Sequence, residues 1–147
     1  MKKHTEAFAQ LVADAGQQVE KISVAAVNAL LSDETAEYFL VDVREDYEWE
    51  KGHVFAALHI AKGVLECDIE RLIPDHGARI IVYCRGGMRS VLAAASLKKM
   101  GYTNVSSMEG GILAWVAADL EIDGEILTSE EQEALQTDDN EEHGFLS

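Results

Sequence analysis

The stretch that most constrains the fold is Arg79-Ile80-Ile81-Val82-Tyr83, followed directly by Cys84, the pair Gly86-Gly87 and a helical segment. An unbroken run of β-branched and aromatic residues suits a strand buried on both faces. Such a strand needs helices over each side of its sheet, which is the architecture of a parallel α/β domain. The rest of the chain repeats the pattern. Tyr38-Phe39-Leu40-Val41 is a second short apolar run, and Ala57 to Ile60 and Thr103 to Met108 read as further strands. Between them, Ser23 is placed to cap a helix through Leu31, and residues 46–51 form a short helix closed by Gly52. Gly63 to Ile73 reads as a helix stopped by Pro74. Another runs from Met88 to Met100, with Lys98 and Lys99 in its last turn and Gly101 just beyond. Gly110-Gly111 opens a final helix containing Trp115. The expected fold is a parallel sheet of about five strands with helices on both faces.

A chain of 147 residues suits one domain. In residues 5–19, Phe8, Leu11, Val12, Ala15 and Val19 make one apolar helical face. Residues 1–20 are therefore expected to be a helical extension that docks on the domain or on a protein partner. The main domain is expected over 21–118, and 119–147 as an acidic, partly disordered extension. Within the latter, 137–147 reads as a solvated tail. Net charge is −15, and 11 of the 27 acidic residues but none of the 12 Lys and Arg lie from Asp119 onward. So negative a surface argues against nucleic acid and anionic membranes as partners. The two cysteines, Cys67 and Cys84, read as free thiols in a reducing compartment. Glu6 and Asp14 interrupt any secretory signal, and no apolar run is long enough to span a membrane. The expected location is the cytoplasm.

The chemistry concentrates in Cys84-Arg85-Gly86-Gly87-Met88-Arg89-Ser90. A cysteine between strand and helix sits at the usual ligand edge of an α/β sheet. Gly86 and Gly87 let the backbone curl, so that successive N–H groups can point inward. The helix start adds unpaired N–H groups and a positive dipole end. Two arginines flank the turn. All four effects favour a thiolate on Cys84 and attract an anionic substrate. The competing reading is a buried, inert strand-end cysteine, but two cations beside such a thiol would have no packing purpose. Arg89 opens the helix, where the dipole disfavours a cation, so it needs an anion. Arg85 fits either a solvated or a functional position.

These residues resemble the active-site signature of single-domain rhodaneses, the thiosulfate sulfurtransferase family. Three further segments resemble that family in the same order: Val41-Asp42-Val43-Arg44-Glu45; Glu48 with Gly52-His53-Val54; and Met108-Glu109-Gly110-Gly111-Ile112-Leu113-Ala114-Trp115. The likeness runs from about Ile22 to Ala118. It departs at Phe55-Ala56-Ala57, where the family usually has Pro-Gly-Ala, and at Ala61, where it usually has Pro. The resemblance implies that the Cys84 thiolate takes the sulfane sulfur of a small anionic donor such as thiosulfate. The resulting persulfide then passes its sulfur to cyanide or a thiol. It implies Cys84 and Arg89 as catalytic residues, and Arg85, Gly86, Gly87 and Met88 as substrate-binding residues. It implies no metal or organic cofactor.

Around this loop, Asp42 and Arg44 read as a structural pair at a strand end. His53 suits a hydrogen-bonded structural position better than that of a base. Lys62 is placed to add positive charge, Trp115 belongs to the core, and Cys67 is expected to be a buried helical cysteine. Two rival classes stand beside the sulfurtransferase. A cysteine phosphatase or arsenate reductase would use five residues between Cys and Arg, where this chain has four. A non-catalytic binding module would usually lack the cysteine.

Overall fold

The structure, a computed structural model, describes residues 4–135; the expected tail at 137–147 lies outside the described residues. The chain runs α1 (Glu6–Gly16), β1 (Glu20–Ile22), α2 (Val24–Leu31), β2 (Phe39–Asp42), α3 (Asp46–Lys51), β3 (Gly52–His53) and β4 (Leu58–His59). It continues with α4 (Lys62–Leu72), β5 (Ile80–Tyr83), α5 (Met88–Lys99), β6 (Val105–Met108), α6 (Gly111–Ala117) and β7 (Asp123–Gly124). A helical segment over 129–135 follows. Five strands form a parallel sheet in the order β1-β6-β5-β2-β4. The most apolar strand, β5, is therefore central, and Cys84 leaves its C-terminal end.

Alternation along the central strands feeds two cores. Val41, Ile80 and Val82 point to one face, with Leu65, Ile69 and Ile73 of the α4 region and Val91, Ala94 and Leu97 of α5. Leu40, Ile81 and Tyr83 point to the other, with Val27 of α2 and Ile112 and Trp115 of α6. Each buried Leu, Ile or Val contributes about 1.5–3 kcal/mol, so double-sided burial stabilises β5 most. The expected α/β architecture is the one observed.

The described parts of both extensions lie against this body. Val12 and Ala15 of α1 pack on the first core, and α1 lies along α5. Beyond α6, Leu120, Ile122 and Ile126 pack on the second core. Trp115 Nε1 donates to Glu121 O at 3.0 Å, and β7 pairs antiparallel with β3. Interspersed apolar residues dock this part of the acidic extension, leaving Asp123, Gly124 and Glu125 outward.

Cys67 corrects an expectation. It is exposed, because α4 turns Leu65 and Ile69 inward, and a residue midway between them on a 3.6-residue helix faces out.

Candidate active site

The site is a loop folded around one sulfur atom. Cys84 is 1% exposed. Its Sγ accepts the N–H groups of Gly87 at 3.2 Å and Ser90 at 3.4 Å. Ser90 is the third residue of α5, whose N-cap residue Gly87 supplies no side-chain bond. The sulfur thus takes the place of a capping oxygen, and the helix start acts on it directly. The thiol also donates to Ser90 Oγ at 3.4 Å, and Ser90 Oγ lies 2.8 Å from Ser107 Oγ on β6. Both serines are buried. A hydroxyl can rotate, so Ser90 can donate back to a thiolate while accepting from Ser107.

Two glycines make this geometry possible. Gly87 has φ +102°, a left-handed turn that lets the loop close onto the sulfur. Gly111 has φ +59°, and a Cβ there would lie 2.4 Å from Arg85 O and 2.5 Å from Cys84 O. Without a side chain, α6 approaches end-on. Ile112 N donates to Cys84 O at 2.9 Å and Leu113 N to Arg85 O at 3.1 Å. The loop's carbonyls are thereby drawn outward to α6.

Neither arginine stands free. Arg89 donates to both carboxylate oxygens of Glu48, at 2.7 and 2.9 Å. The anion its helix-start position called for is a buried carboxylate of the same chain. Its side chain is 28% exposed against 1% for Glu48. Burial pushes the Glu48 carboxyl up, but the Arg89 bonds and charge, the Glu45 N–H and the Arg44 charge hold it below the ordinary glutamate range. Arg85 donates from Nη1 to Leu127 O at 2.6 Å. Gly86 and Gly87 make the turn between Arg85 and α5, and Met88 is the first residue of that helix.

Asp42 and Arg44 form the structural pair, both buried, 2.7 Å apart at the C-terminal end of β2. Arg44 also donates to Gly52 O at 2.7 Å. His53 Nδ1 lies 2.9 Å from Trp49 O, and its ring stacks on that indole at 3.5 Å. His59 Nε2 lies 2.8 Å from Arg44 O. Both imidazoles are held by backbone carbonyls, as a structural role requires. Lys62 begins α4, and Trp115 is buried. No group of ligating residues suited to a metal occurs among the described residues.

Sequence reading did not find Glu48 as the partner of Arg89, nor Ser90, Ser107 or Leu127. Ser90 had a local signal, three residues into the helix that follows a cysteine loop. The others join the site only through the fold.

Chemically, this arrangement aims two N–H donors at one sulfur atom. The Rhodanese-like domain family matches residues 23–118 of the chain. A tRNA uridine(34) hydroxylase from Erwinia tasmaniensis is 37% identical over 106 residues, 69% of this chain and 30% of that protein. The chain thus spans about a third of the length of such relatives. A Rhodopseudomonas palustris protein of unknown function, called a possible tyrosine phosphatase, aligns with TM-score 0.72 and 27% identity over 86% of this chain and 98% of that one. A thiosulfate sulfurtransferase from Pseudomonas aeruginosa shares the fold, with TM-score 0.71 and 24% identity over 87% of this chain and 25% of that one.

Proposed function

Because the chain belongs to the rhodanese-like family, we propose that it is a sulfurtransferase working through a persulfide on Cys84. The observation that carries this reading is the pair of N–H bonds onto Sγ at the start of α5, 3.2 and 3.4 Å long. They stabilise a thiolate before reaction and the sulfur's charge after it. In the first step the Cys84 thiolate attacks the sulfane sulfur of a donor such as thiosulfate. A new S–S bond forms, the donor's S–S bond breaks, and its electron pair leaves with sulfite. In the second step a thiol or cyanide takes the outer sulfur and returns the Cys84 thiolate. Arg85 and the N–H groups of residues 85–89 orient the donor's oxygens and hold the persulfide. Arg89 contributes positive charge beside the loop, since its bonds go to Glu48.

The burial of Cys84 favours transfer of a single atom over reaction at a bulky ester. A phosphatase would need Arg89 for the phosphate, and Glu48 already holds it. The net charge of −15 disfavours a polynucleotide bound by this chain itself. The acceptor is therefore read as a small thiol or cyanide, and the working compartment as a reducing one, the cytoplasm. No helix among the described residues is long and apolar enough to cross a membrane.

Intact-mass measurement after incubation with thiosulfate tests the reading. The expected result is one added sulfur atom, mapped to Cys84. Cys84→Ser takes up none, and Cys67→Ser behaves like the parent. Sulfur carried mainly by the exposed Cys67 would overturn the assignment.

A further inference from the structure

Residues 119–135 lie beyond the family match, which ends at residue 118, yet they are built onto the residues around the cysteine loop. Their first anchor is backbone against backbone. Asp123 and Gly124 pair with His53 and Gly52, and Glu125 N donates to Lys51 O at 3.0 Å. Glycine on both sides allows this approach. A Cβ on Gly124 would collide with Lys51 O, and one on Gly52 with the Glu125 backbone. Gly124 also has φ +83°, a left-handed conformation that a side chain disfavours. Three residues on, Leu127 is buried, and its carbonyl accepts Arg85 Nη1 at 2.6 Å. Thr128 then caps a turn, its Oγ1 accepting Glu131 N at 3.1 Å and its carbonyl accepting Gln132 N at 2.9 Å.

Arg85, the residue after the nucleophile, is thus held at both ends. Its backbone carbonyl accepts Leu113 N of α6, and its side chain is tied to the extension. A free arginine on a loop must be ordered by each anion it binds. This one is ordered on folding, before any anion arrives. The nature of the tie also matters. A carbonyl carries no net charge, so Leu127 fixes Arg85 without setting a negative charge against it. Glu48 does the opposite to Arg89, pairing it with a carboxylate. One carbonyl also uses only part of a planar fork with five N–H donors.

We infer that residues 119–135 are a strap that positions Arg85 for an oxyanion arriving at Cys84. Leu127 O is the positioning group, and Gly124 is where the strap is fastened to the domain. For sulfur transfer this rests on the persulfide reading above, with Arg85 orienting the donor's oxygens. Leu127 acts through Arg85 alone. A segment that only closed the core would matter equally whether or not Arg85 were present.

Alkylation of Cys84 in the full chain, with product mapped by peptide mass, separates these roles. Iodoacetate and iodoacetamide meet the same sulfur, but only iodoacetate brings a carboxylate. The ratio of their rates is measured in the parent, in Gly124→Ala, which unfastens the strap, and in Leu127→Ala, which removes its buried anchor. Each is repeated with Arg85→Ala added, and sulfur loading from thiosulfate is followed alongside. With Arg85 present, both variants should lower the iodoacetate to iodoacetamide ratio roughly tenfold and raise KM for thiosulfate similarly at little changed kcat, the scale of one charge-assisted bond. With Arg85→Ala the ratio is already low, and neither variant lowers it further. Parent-like ratios in both variants, or falls of the same size with and without Arg85, overturn the proposal. So does failure of both variants to fold, because the segment then serves the core and not the arginine. A parent that takes no sulfur from thiosulfate overturns the persulfide reading, while the alkylation ratio still decides this one.

Discussion

Replacing Arg89 with alanine separates a substrate-binding arginine from a structural one. An arginine kept only for an incoming anion could be removed without thermal cost, as its sequence position alone would suggest. The structure gives a different expectation. Glu48 is 1% exposed and receives two Arg89 bonds of 2.7 and 2.9 Å. Alanine leaves that carboxylate buried with only the Glu45 N–H at 3.1 Å and the Arg44 charge. Breaking a buried pair from one side costs about 3–5 kcal/mol. The retained bond and the partial exposure of Arg89 put this case at about 3 kcal/mol, a fall of roughly 6–12 °C in Tm for a domain of this size. The pH dependence has a definite sign. The folded Glu48 carboxyl lies below its ordinary value of 4.5, so its pairing stabilises fully above that pH. The contribution fades as pH falls below it. Thermal melts of parent and Arg89→Ala should differ most near pH 7 and converge toward pH 3. Replacing Glu48 and Arg89 together with Met should recover much of the loss, since neither charge is then stranded. A difference under about 1 kcal/mol at pH 7, or one that is the same at both pH values, would refute the reasoning.

Three other substitutions probe the loop itself. Ser90→Ala removes the hydroxyl 3.4 Å from Sγ and should slow alkylation of Cys84 at neutral pH about tenfold, the scale of one bond to a charged group; Ser107→Ala should slow it less, and equal rates in all three proteins would exclude the hydroxyl pair from tuning the sulfur. Gly111→Ala would put a Cβ 2.4 Å from Arg85 O and should cost on the order of 3 kcal/mol in denaturant unfolding while abolishing sulfur loading; a stable variant that loads at the parent rate would mean that α6 does not set the loop.

The sheet was legible because its central strands are buried on both sides, so their residue types are nearly unconstrained by pleat. Val41 and Val82 face one core and Leu40 and Ile81 the other, yet all are apolar. The edges were not legible. Glu20-Lys21-Ile22 forms β1 with two exposed residues and one half-buried, a pattern shared with any loop. The β3–β7 pairing spans two residues per strand and carries no periodicity. In the site, Cys84 and its glycines were readable because a strand, a turn and a helix start are contiguous. The contact between Glu48 and Arg89 joins residues 41 positions apart. Leu127 contributes through its backbone carbonyl, which any residue type would supply. The charge count of the C-terminal extension hid Leu120, Ile122 and Ile126, the apolar residues that dock its described part.

The pairing of β1 with β6 also bears on how the chain is made. Glu20–Ile22 can enter the sheet only beside Val105–Met108, so the first strand synthesised waits for the last strand of the sheet. At ribosomal rates of roughly 5–20 residues per second that wait is about 4–17 s. Throughout it α1 has no α5 to lie on until Met88–Lys99 emerges, and its apolar face stays uncovered. The segment from α1 to β1 is therefore the part of the described fold that waits longest for its partners, although in the finished molecule it is an outer layer.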